Sequence, residues 1–195
     1  LIFLAGIAGL LAGSFSMATG EYASMRAQRD SYENDIAKEA IELAEWPEEE
    51  LEELNLIYRA KGLSEDEADK ISRRVMADPE VALDTMTREE LGLDPSSLGS
   101  PWGAAFSSLL AFSLGALVPI LPFILTVNSD PTPNIVFWSA GLSGSLLLVL
   151  GGILAFLSGN RIWVGSIRML LLGGLAAAVT YSVGLLIGDS VSGLG

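Results

Sequence analysis

Four stretches of the chain are apolar almost without interruption, and one long stretch between the first and the second is not. Residues 1–20, 102–127 and 131–160 carry no charged side chain, and 162–188 carry only Arg168. A membrane-spanning helix needs roughly 20 consecutive apolar residues, so the pattern predicts spans near 1–22, 102–126, 134–158 and 166–188. Buried helices of a soluble protein would show a polar face, which these segments lack. The first stretch has no basic n-region and runs through Ser14, Ser16 and Glu21 without an obvious cleavage site, which argues against a signal peptide. Gly9 and Gly13, and later Gly141, Gly144, Gly151, Gly152, Gly173, Gly174 and Gly184, offer small surfaces where spans can approach closely. Pro119 and Pro122 fall inside the second span and are expected to kink it.

The intervening segment, 26–95, reads as short helices set off by punctuation. Pro47 ends one and opens the next, Gly62 closes that one, Ser64 with Glu67 forms a capping box, and Asp78-Pro79 is a cap followed by proline at the first helical position. These signals predict helices near 27–46, 47–61, 64–77 and 79–91. No breaker lies between Glu21 and Trp46, so the first should continue straight from the membrane span. The fold class is therefore all-α: a polytopic membrane bundle with an inserted acidic helical domain. Its parts are a first membrane helix (1–25), the acidic domain (26–95) and a three-helix membrane region (96–195).

Charge separates the parts further. The chain carries a net charge of −13 despite a mean hydropathy of +0.47. Only Glu21, Asp130, Asp189, Arg161 and Arg168 lie outside 26–95, so that window holds 21 acidic and 9 basic groups. With four spans, the window and the 159–168 connection face one side, and together they contain every Lys and Arg. The positive-inside rule makes that side the cytoplasm and puts both ends of the chain outside. An outside start at Leu1 leads to the expectation that an earlier helix precedes this sequence. The acidic balance, without a basic stripe, disfavours nucleic-acid binding.

The chain has no Cys and no His. That excludes disulfides, thiolate or imidazole metal sites and Ser-His-Asp catalysis, and it makes an enzyme the weakest reading. Metal chemistry would have to use carboxylates, carbonyls, water and thioethers. On the helix ending at Trp46, Ile36, Ala40, Leu43 and Ala44 form an apolar stripe edged by Glu39 and Glu42. On the next, Leu51, Leu54 and Tyr58 mark the apolar face, Glu50 points between Leu54 and Ile57, and Glu53 borders the same sector. Two Glu-x-x-Glu pairs on adjacent helices would converge four carboxylates, a set suited to divalent cations. The competing reading is a solvated glutamate face; only the inward aim of Glu50, costly without a counter-charge, opposes it. Met76 and Glu80 add a thioether and a carboxylate at i, i+4. In the first span, Ser14, Met17, Glu21 and Ser24 share a face, and an ionisable group at membrane depth marks a candidate path.

The run GSFSMATGEYASMRAQRD over 13–30 resembles the second membrane helix of the vacuolar iron transporter family, and LGSPWGAAFSSLLAFSLGALVP over 98–119 resembles its third. With the Met76 to Glu80 segment between them, the similarity extends over essentially the whole chain, which looks like a prokaryotic member starting at the family's second helix. The resemblance implies five membrane helices, a cytoplasmic helical metal-binding domain between the second and third, and a homodimer exchanging divalent iron for protons across the lipid bilayer. Carried over by position, it assigns Glu39, Glu42, Glu50, Glu53, Met76 and Glu80 to metal binding and Met17 and Glu21 to the transport path. Ala77 stands where the family has a second methionine, which reduces the soft character of the site.

These readings lead to a divalent metal/proton antiporter that exports ferrous iron from the cytosol of a prokaryotic cell. Manganese, cobalt and zinc are further candidate cargoes, and protons are the counter-ion. The alternative is a membrane-anchored metal sensor or buffer that binds without transport.

Overall fold

In a computed structural model, residues 2–126 and 134–192 are described. The 127–133 connection, which the charge count assigns to the side opposite the acidic domain, lies outside the described residues. Within them the chain is helical throughout: α1 (Ile2–Glu45), α2 (Pro47–Ala60), α3 (Glu65–Met76), α4 (Pro79–Glu89), a 3-10 turn at Pro95–Ser97, α5 (Pro101–Leu125), α6 (Ile135–Leu157) and α7 (Ile162–Ser192). Four of these, α1, α5, α6 and α7, are long and apolar enough to cross a membrane. The last begins at Ile162 rather than at the expected 166, because nothing after the turn at Gly159 opposes helix from there on.

The local signals act as the sequence predicts. α1 runs unbroken for 44 residues, about 66 Å at 1.5 Å per residue, until Trp46 and Pro47 interrupt it. Gly62 takes φ +100° at the α2–α3 turn, where a side chain would be strained. The Glu67 carboxylate accepts from the Ser64 backbone N–H at 3.0 Å, completing the capping box of α3. Asp78 Oδ1 accepts from the Glu80 N–H at 3.1 Å and starts α4.

The chain divides into two compact units, 14–110 and 1–13 with 111–195. The first runs beyond the expected 26–95 boundaries at both ends. It takes in the middle of α1 and the start of α5, which are joined by the Tyr22 and Trp102 rings, 4.8 Å apart, and by Arg29 Nη1 donating to the Gly99 carbonyl at 3.3 Å. Its interior is small and unusually polar. Leu54 and Met86 are the large apolar side chains buried there, and Glu39, Ser72 and Thr87 are enclosed as completely.

In the second unit, α6 and α7 pack as a close hairpin. A Cβ on Gly151 would lie 2.5 Å from the Gly165 carbonyl oxygen, so neither helix tolerates a larger residue at that crossing. Ser166 donates across the pair to the Leu148 carbonyl, and Ser139 donates to the Pro119 carbonyl of α5. α5 continues through both internal prolines. Gly9, Gly141, Gly174 and Gly184 face open space, so the close approaches fall on fewer glycines than the small-residue pattern suggests.

Candidate metal centre

The carboxylates of Glu39, Glu50 and Glu90 each offer an oxygen within 4.8 Å of the others. Three elements supply them: the last part of α1, the first turn of α2 and the C-terminal cap of α4. Glu39 is 2% exposed and Glu50 7% exposed. Pro47 at the first position of α2 sets that helix's phase, which turns Glu50 inward beside Leu54. On α4, residues 82, 86 and 90 follow at i, i+4 steps, so Glu90 continues the face of the buried Ala82 and Met86, but at the helix end it is itself exposed.

Burying negative charge in this way is costly unless something compensates. The basic side chains of the domain that form ion pairs do so elsewhere: Arg26 with Asp30, Arg29 with Glu33, Lys38 with Asp35, Arg73 with Asp69, Lys61 with Glu89, and Arg88 with Asp84 and Asp94. Glu39 Oε1 and Glu50 Oε2 are buried without a hydrogen-bond partner. Buried carboxylate oxygens are rarely left so in folded proteins.

The electrostatics follow. Desolvation, then the charges of Glu90 and Glu50, push the Glu39 carboxyl up to about 8. A hydrogen bond to Glu90 and the charge of Glu42 add to the rise. Glu50 is raised first by burial, then by Glu53, Glu90, Glu42 and Glu49. Burial also raises Glu90, together with the charges of Glu53 and Glu42, while its hydrogen bond with Glu39 acts the other way. Glu39 is thus the group that holds a proton, and Glu90 is the acceptor beside it. A divalent cation would supply the missing positive charge and take up the unpartnered oxygens. The donor set, carboxylates without imidazole or thiolate, fits a hard or borderline ion.

Of the residues singled out in the sequence, Glu39 and Glu50 stand in this triplet. Glu42 is half-buried and Glu53 exposed; both act on it through charge rather than as members. Glu80 is exposed in the first turn of α4, at the opposite end of that helix from Glu90. Met76 lines a different feature, an apolar recess of about 630 Å³ bordered by Ala40, Leu43, Ala44, Leu51 and Leu83. The sulfur on the Glu90 face of α4 belongs instead to Met86, which is fully buried. Sequence reasoning missed Glu90 and Met86: they repeat the i, i+4 spacing of Met76 and Glu80, so spacing alone does not rank the two pairs. On α1, Ser14 is buried while Met17, Glu21 and Ser24 lie on its exposed surface.

Comparison with known proteins agrees with this architecture. The sequence pattern of the VIT family matches residues 1–185. The vacuolar iron transporter of Acanthamoeba castellanii is 35% identical over 190 residues, covering 95% of this chain and 69% of the relative. Vacuolar iron transporter 1 of Oryza sativa subsp. japonica is 29% identical over 183 residues, covering 94% of the chain and 71% of that protein. Vacuolar iron transporter 1 of Arabidopsis thaliana is 26% identical over 181 residues, covering 93% and 71%. With four membrane-length helices, an acidic helical insertion and a match along nearly its whole length, the chain belongs to the VIT family.

Proposed function

We propose that the chain is an iron-transporting antiporter in which the acidic unit collects ferrous iron from the cytosol and the membrane helices export it against protons. The observation that carries this reading is the Glu39, Glu50 and Glu90 triplet, with two buried oxygens lacking hydrogen-bond partners. Binding a divalent ion there requires Glu39 to lose its proton, so capture of the cargo is coupled to proton release. Relatives named vacuolar iron transporters support iron as the cargo; manganese, cobalt and zinc suit the same donors. Met86, one turn before Glu90, is the thioether placed to favour a borderline ion over calcium.

Met17 and Glu21 form the membrane path in this reading. Along α1, Met17 and Glu39 are separated by about 33 Å at 1.5 Å per residue. The ion therefore leaves the acidic centre before it enters the path, and the two sites act in sequence rather than as one. The centre sits on the cytoplasmic side, as the distribution of Lys and Arg indicates, and the working unit is a homodimer.

The test is ferrous iron uptake into proteoliposomes under an imposed pH gradient, using the chain with and without an added preceding helix. Uptake that needs the gradient and falls with Glu21→Gln supports the antiporter. Metal binding without flux in either form would make the protein a membrane-anchored buffer.

A further inference from the structure

The two basic residues outside the acidic window, Arg161 and Arg168, stand together at one end of the α6–α7 hairpin. They border a recess of about 340 Å³ whose other lining residues are Ala155, Asn160, Val164 and Gly165. Positions 161, 164, 165 and 168 fall at i, i+3, i+4 and i+7, so the arginines mark the two ends of one stripe on the first turns of α7. Ala155 and Gly165 are buried at its floor, where a Cβ on Gly165 would come 2.4 Å from the Ala155 Cβ. Small residues there let the helices close beneath the recess and keep it open above.

Neither guanidinium has an ion pair or side-chain hydrogen bond among the described residues, whereas six of the nine basic side chains of the acidic window do. Their depth makes this significant. The apolar span of α7 starts at Ile162, so Arg168 lies about 9 Å along it at 1.5 Å per residue, within a stretch otherwise free of charge. An unneutralised cation at that level is costly, and its aliphatic stem lets the guanidinium reach back only to the height of the lipid phosphates. Beyond Arg168 on the same stripe of α7, Leu172 and Leu175 follow at i+4 and i+7 and are more than half exposed, an apolar run matched to acyl chains and not to a hydrated ion.

We infer that this recess binds the headgroup of an anionic phospholipid, with the phosphodiester held between Arg161 and Arg168 and the acyl chains lying on the neighbouring apolar surface. Guanidinium recognises phosphate by paired N–H donors, which a single lysine does not reproduce. Two cations around one phosphate leave positive charge over, so a headgroup carrying its own choline cation is disfavoured. This site is independent of the acidic centre and of whether the chain carries metal.

The shared chemistry is a phosphate anion, and the test separates the lipid from free phosphate. The detergent-solubilised chain, offered equal phosphatidylglycerol and phosphatidylcholine, would be examined by native mass spectrometry. A clear excess of phosphatidylglycerol adducts is expected. Each of Arg161→Gln and Arg168→Gln should reduce that excess about fivefold, the double variant should remove it, and a double Arg→Lys variant should keep part of it. Arg73→Gln, in the acidic unit, should leave it unchanged. The single variants decide the matter if the double variant does not remain monodisperse. Equal adducts of the two lipids on the parent chain, an undiminished preference in both single variants, or displacement of the lipid by millimolar inorganic phosphate would each overturn the assignment.

Discussion

Buried Glu39, near the end of α1, and exposed Glu90, the cap that ends α4, bring carboxylate oxygens within 4.8 Å of each other, and the charge of Glu90 adds to the burial that pushes the Glu39 carboxyl up to about 8. With Glu50 they form a cluster of three carboxylates, in which one oxygen of Glu39 and one of Glu50 are buried without a partner. A cluster of this kind is unstable in isolation and is satisfied by protons or by a metal ion.

The first prediction concerns which glutamates hold the ion. Replacing Glu39, Glu42, Glu50 and Glu53 together by Gln should abolish divalent binding measured by calorimetry. Taken singly, Glu39→Gln, Glu50→Gln and Glu90→Gln should each weaken binding by about tenfold or more, while Glu80→Gln should change it by less than about twofold. Equal losses for Glu80→Gln and Glu90→Gln would remove Glu90 from its assigned place.

A pH dependence follows from the raised carboxyls. Because Glu39 is raised from 4.5 to about 8, the folded apo protein binds more protons than the unfolded chain between those values. Its contribution to stability is therefore fully present below about pH 4.5 and is lost as pH rises through about 8. Metal affinity should move the other way, strengthening by up to about tenfold per pH unit over this range if one proton is released. Thermal melts of the metal-free chain should fall from pH 6 to pH 8, and Glu39→Gln should flatten that fall. A parent melt that rises across the same interval would contradict the assignment of the proton to Glu39.

The proposed function assigns capture and passage to different methionines. Met17→Ala should lower iron flux strongly with calorimetric binding intact. Met86→Leu keeps the buried volume but removes sulfur, so it should narrow the preference for ferrous iron over calcium with little loss of fold. Met86→Ala should additionally cost about 2–5 kcal/mol of stability, because it empties a fully buried site. Met76→Ala, in the open apolar recess, should leave affinity unchanged. Loss of binding in Met76→Ala with Met86→Leu unaffected would reverse the two roles.

The absence of native cysteine makes the topology directly testable. Single cysteines at Ser64 and Ser158 should label from the same side of a sealed membrane, and one at Ser129 from the other. Labelling of Ser64 and Ser129 from one side would refute four spans.

How much of this was legible beforehand depended on the range of the interaction. The four spans, the breaks at Pro47 and Gly62, the capping box at Ser64 and the start of α4 at Asp78 are written in stretches of a few residues to about 20, because apolar length, proline geometry and capping act locally. Glu50 was also accessible, since helical phase turns it toward Leu54 and Ile57; Glu39 stood only at the edge of the Ile36, Ala40, Leu43 and Ala44 stripe, yet it is buried while Ala40 and Ala44 are exposed.

Glu90 was not accessible in this way. Met76 with Glu80 and Met86 with Glu90 offer the same residue types at the same spacing, so nothing local ranks one pair above the other. The packing of α2, α3 and α4 decides it: Glu80 and Glu90 are both exposed, but that arrangement buries Met86 and carries the end of α4, with Glu90, to Glu39 and Glu50. Sequence by itself therefore determined the breaks and caps of the acidic segment, the four membrane-length helices and the inward face of α2. Only the tertiary structure brought the third carboxylate to the first two, because the meeting of distant helix ends depends on the packing of whole helices and leaves no trace in spacing along the chain.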